Sequence, residues 1–78
     1  MGNIPWNELA VAVRKPPRGA PGEPEIVAEG MLGEVLDEIA RSLIDQLSRL
    51  IISLPDRSAP PYRFDPAEIA ALLRRRDG

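Results

Sequence analysis

The sequence predicts a mainly α protein: one long amphipathic helix at about residues 31–54, a short C-terminal helix at about 66–76, and a short N-terminal β-hairpin or extended arm. Three observations carry this expectation. Apolar residues recur three and four apart from Met31 to Leu54, Asp65 and Pro66 form a strong helix start, and a nine-residue run from Pro16 to Pro24 with four prolines and two glycines sets off the first part of the chain. The organisation is therefore an arm or hairpin over residues 1–30 followed by a helical hairpin over 31–78, within a single domain.

In chain order, Ile4, Pro5 and the only tryptophan, Trp6, open the arm. A lone Trp near a terminus anchors a segment by burying a large ring, or fills a pocket on a partner. Residues 8–15, ELAVAVRK, place Leu9, Val11 and Val13 on one face and alanine on the other if extended, and β-branched valines favour a strand. A short helix capped by Asn3 or Asn7 would also bring Leu9 and Val13 together. After the Pro/Gly-rich loop, EIVAE at 25–29 is a second extended segment that can pair with the first, although the connection is long for a hairpin. Gly30 ends it.

The long helix rests on Leu32, Val35, Leu36, Ile39, Leu43, Ile44, Leu47, Leu50, Ile51 and Leu54, a spacing that stacks side chains on one side of a helix. Within it Leu36, Ala40, Leu43, Leu47, Leu50 and Leu54 follow a seven-residue pattern, and Leu32, Ile39 and Ile51 widen the seam into a face. The opposite side carries Asp37, Arg41, Asp45 and Arg49 at four-residue spacing with alternating sign, the arrangement of solvated helical ion pairs. Ile52 falls on that charged side, so Leu50 to Leu54 is apolar nearly all round. Pro55 ends the helix by excluding its predecessor from the α region.

Tyr62 and Phe64 then fold an irregular stretch back over the apolar helix end, with the tyrosine hydroxyl at the wet edge. Asp65 supplies an N-cap acceptor, Pro66 the first helical position and Glu68 the capping-box carboxylate. Ile69, Leu72 and Leu73 form the apolar stripe of the last helix, which ends in Arg74, Arg75 and Arg76.

Composition narrows the function. A chain of 78 residues has a core worth only about 3–5 kcal/mol, so some further support is expected. With no cysteine and no histidine, neither a disulfide nor the usual nitrogen and sulfur ligands of structural zinc are at hand, which leaves association with itself or another protein. A formal net charge of −2 with interspersed signs does not suit a general polyanion surface, and no apolar stretch reaches membrane-spanning length. No secretory signal opens the chain, so a cytoplasmic location is expected. The nine-to-one excess of Arg over Lys suits a small protein from a GC-rich bacterial genome.

No constellation names a reaction. Acid-base work would fall to carboxylates that sit beside arginines, which depress carboxylate pKa values where catalysis wants one raised. The glycines do not match a phosphate-cradling spacing. No catalytic, cofactor-binding or metal-binding residues are expected. The sequence points instead to a non-enzymatic interaction module, an adaptor, accessory subunit or regulator, that dimerises or docks on a protein partner through Leu36, Ile39, Leu43, Leu47, Leu50, Ile51, Ile52 and Leu54, with Trp6 as an anchor. The alternative is a small dimeric DNA-binding regulator of antitoxin or repressor type, with Arg14, Lys15, Arg74, Arg75 and Arg76 on phosphates. That alternative is weakened by the acidic strand EIVAE, which has no Arg, Lys, Asn or Gln to read bases.

Overall fold

The chain is an α+β protein rather than a mainly α one: a four-stranded antiparallel sheet carries two helices on one of its faces. The computed structural model describes residues 4–58 and 62–77. Met1 to Asn3 at the start of the expected arm, with the candidate cap Asn3, Ala59 to Pro61 in the expected irregular stretch, and Gly78 lie outside the described residues.

The elements run β1 (Leu9–Arg14), β2 (Glu25–Met31), α1 (Leu32–Glu38), a π-helical turn (Ile39–Leu43), a 3-10 segment (Ile44–Arg49), β3 (Leu50–Ser53), β4 (Arg63–Phe64) and α2 (Pro66–Asp77). The sheet order is β2-β1-β3-β4, every pair antiparallel. A strand-strand-helix order thus occurs twice, with β1 and β3 adjacent at the centre. Residues 8–15 resolve to a strand, and the β1–β2 hairpin closes through the ten residues between Arg14 and Glu25, with a register shift between Ala12 and Val13.

The long helix is the main correction. It begins at Leu32, one residue after the expected start at Met31, but regular α geometry ends at Glu38. A wider π-helical turn and a more tightly wound 3-10 segment follow, and Leu43 already leaves the helical region at φ −124°, ψ 7°. Leu50 to Ser53 is not helix but a central strand, where Leu50 and Ile52 turn inward and Ile51 and Ser53 outward. The adjacent β-branched pair Ile51-Ile52 fits a pleated surface better than a helix, and the alternating burial satisfies residues that no single helical face accommodates. Ala40, a member of the expected seam, is exposed.

The alternating-charge ladder does not form either. Asp37 accepts from Arg76, Arg41 bonds Glu38, and Arg49 donates to the Lys15 carbonyl at 2.9 Å. The cap of α1 is half built: the Glu34 carboxylate accepts from the Met31 N–H at 3.3 Å, while Met31 itself has no oxygen to return the bond. At α2 both halves are present, since Asp65 accepts from the Glu68 N–H at 2.8 Å and Glu68 from the Asp65 N–H at 3.0 Å.

One core joins the layers. Leu32, Val35, Leu36 and Ile39 from the first helical segment, with Ile69 and Leu72 from α2, pack on Ala10, Ala12, Leu50, Ile52 and Phe64 of the sheet. The inward face of β1 is thus its alanines, both fully buried. Methyl-sized side chains let α1 lie close on the strand, and the bulkier Leu9, Val11 and Val13 are turned to the other side. Helix and sheet cover the same apolar surface that the sequence alone offered to a second chain.

Candidate functional site

The residues that the sequence assigns to an interface separate into three environments. Leu36, Ile39, Leu50, Ile52 and Leu54 are buried in this chain's own core. Leu43 and Leu47 are half-buried and packed against it. Ile51 alone faces the outer side of the sheet, in register with Val13.

Trp6 is also half-buried against the core, and the Arg76 guanidinium lies 5.4 Å from the centre of its ring. Arg76 in addition grips both carboxylate oxygens of Asp37 at 3.1 Å, which holds the Asp37 carboxyl below its ordinary pKa. The Gly33 N–H bonds the Trp6 carbonyl at 3.0 Å, and a methyl group on Gly33 would come within 2.9 Å of that guanidinium. Arm, α1 and the end of α2 are thereby tied at one point. Glu8 adds a second tie, accepting from Arg57 at 2.6 Å.

The basic residues do not form one stripe. Arg14 is engaged by Gln46 and Glu25, and Arg76 by Asp37. Lys15 follows the end of β1, whereas Arg76 sits beside Trp6 and Gly33 at its start, so about 17 Å of strand separates the two groups. Arg74 and Arg75 are exposed on the last turn of α2. Near Lys15 a shallow cleft of about 430 Å³ is lined by Lys15, Pro16, Arg18, Ser48 and Arg49. Three cations meet there, two of which the sequence did not single out as a group, because Arg49 and Arg18 lie 31 residues apart in the chain.

The outer face of the sheet carries three of the five exposed large apolar side chains among the described residues, Leu9, Ile26 and Met31. Register fixes its members: Leu9 pairs with Met31, Val11 with Glu29 and Ser53, Val13 with Ile26 and Ile51, and Ser53 with Arg63. Directly opposed residues of antiparallel strands share a face. Ile26 is 62% exposed, Met31 46% and Leu9 38%, while Val11, Val13 and Ile51 are half-buried by one another without joining the core. A contiguous apolar patch rimmed by charge is the usual mark of a recognition surface.

The signal for this face was present as the alternation in LAVAVR. Which of its two sides is covered depends on where the helices land.

Among the described residues no helix is long and apolar enough to cross a membrane. Compared with family models, curated proteins and solved structures, the chain gives no match.

Proposed function

We propose that this chain is a small non-enzymatic protein-interaction module whose working surface is the uncovered face of its sheet. The observation that supports this reading is the cluster of Leu9, Val11, Val13, Ile26, Met31 and Ile51 outside the core, on a face where large apolar side chains gain a monomer little beyond their cross-strand contacts. The seam expected from the sequence is taken up by folding, so this face replaces it as the contact surface.

Site-specific photo-crosslinking in the native cell tests the reading. A photoreactive residue at Val13 is expected to give discrete protein adducts, and one at Arg41, exposed on the helical side, to give none or different ones. Absence of any adduct from Val13 at natural expression level would overturn the proposal.

A second reading, contact with a polyanion such as duplex DNA, draws support from the Lys15, Arg18 and Arg49 cleft. It predicts weak binding to duplex DNA at low salt that Lys15→Glu with Arg18→Glu abolishes. No binding by the unaltered chain at low salt would remove it.

A further inference from the structure

We infer that the partner for the open sheet face is a second copy of this chain, related by a two-fold axis that lies between the sheets, parallel to the strands, and passes between β1 and β3. This inference rests on the preceding reading of that face as an interaction surface. The observation behind it is a single register row. Glu29 pairs with Val11, Val11 with Ser53, and Ser53 with Arg63, so one line across the sheet begins with an acid on the edge strand β2 and ends with a base on the edge strand β4. Both charged residues are exposed, and neither has an ion-pair partner among the described residues.

A symmetric interface must be complementary to itself. The stated axis exchanges the two edges while keeping position along the strands, so Glu29 of each copy comes opposite Arg63 of the other, twice. Sheets pack about 10 Å apart with strands within about 30° of each other, a gap that a glutamate and an arginine reaching from opposite sides can close.

Between these paired rims, Val11 lies over Ser53 of the other copy and Val13 over Ile51, an apolar centre with a charged border. The perpendicular in-plane axis, centred on the same row, would set Glu29 beside its own copy and Arg63 beside its own. Charge therefore selects one of the two arrangements.

Direct edge-to-edge extension through β2 is opposed by Glu29 together with Glu25, because antiparallel pairing centred on Val27 sets Glu25 opposite Glu29 of the second copy. The face measures about 20 Å across four strands and at most about 17 Å along them, about 340 Å² per copy and about 680 Å² in all, below the roughly 1,200 Å² at which standard specific interfaces begin. The dimer is accordingly expected to dissociate on dilution.

Sedimentation equilibrium of the full chain, its Glu29→Arg and Arg63→Glu variants, the double variant, and an equimolar mixture of the two single variants tests the arrangement. Far-UV circular dichroism and thermal melting of each sample check that the fold is kept. The unaltered chain is expected to form a reversible dimer.

Each single variant should associate at least about fivefold more weakly, since every substitution acts at two symmetric contacts and replaces attraction with repulsion. The double variant should recover, and the mixture should form a heterodimer. A monomeric unaltered chain, single variants that dimerise normally, or a double variant as weak as the single ones would overturn the inference. If the Val13 crosslinks carry only masses of other proteins, the interaction reading stands and the second-copy inference fails. If Val13 gives no adduct, both fail.

Discussion

Replacing Ile52 with alanine separates the strand from the helix more directly than any other change. Its side chain is 0% exposed, opposite Ala12 on one side and Phe64 on the other. Alanine removes three carbons, about 2.4 kcal/mol at about 0.8 kcal/mol per buried methylene, and the cavity left beneath two helices raises this to about 3 kcal/mol. Against a total of about 3–5 kcal/mol for a core this small, the variant should stand at the edge of unfolding. At about 4–8 °C per kcal/mol, its midpoint should fall by about 12–24 °C.

Ile51→Ala is the control. That side chain lies on the open face, so its loss should cost about 1 kcal/mol or less in the monomer. Urea and thermal unfolding of both variants, followed by circular dichroism at a concentration where the chain is monomeric, give the comparison. On a helix from 31 to 54 the order reverses, because Ile51 would lie on the seam and Ile52 on the charged side. A loss for Ile51→Ala equal to or greater than that for Ile52→Ala would refute the alternating strand.

Three further outcomes are expected. Asp65→Ala removes the acceptor for the Glu68 N–H and should cost about 1 kcal/mol in urea unfolding, with Asp65→Asn costing less. Gly30→Ala forces a side chain into φ +146° with its Cβ 3.2 Å from the Glu34 carboxylate, so a loss of about 1 kcal/mol or more should appear in the same assay.

The third concerns pH. Hydrogen bonds from Arg76 hold the Asp37 carboxyl below its ordinary pKa in the folded chain, so its contribution is present above the unfolded carboxylate range and lost as pH falls through the folded value. Asp37→Asn should therefore melt lower than the unaltered chain near neutral pH, and the difference should close in strong acid. A gap that persists in strong acid would show that the pair does not act through charge.

Local chemistry was enough to place several elements. Valines alternating with alanines favoured a strand at β1 without excluding a short helix, EIVAE marked β2, and Pro16 to Pro24 marked the connection between them. Asp65, Pro66 and Glu68 marked the start of α2 because capping is a matter of residues three apart, and the described bonds follow that pattern. The start of α1 was equally local.

The end of that helix was not. Leu47, Leu50, Ile51 and Leu54 satisfy a helical spacing, and the only internal sign against it was Ile52, an apolar residue stranded on the polar side. Three apolar residues in a row, Leu50 to Ile52, fit a short buried strand as well as a helix turn, and local propensity does not separate them.

What decides the matter is the slot between β1 and β4, which offers backbone partners to Leu50–Ser53 and an apolar bed to Leu50 and Ile52. The same non-local choice set the surface. Alternation guarantees that β1 has two different faces, but only the docking of α1 on the alanines leaves the leucine and valines outside, beside Ile51 and between Glu29 and Arg63. That juxtaposition joins residues 9, 29, 51 and 63, which no spacing along the chain connects, because it is made by strand register and by nothing shorter in range.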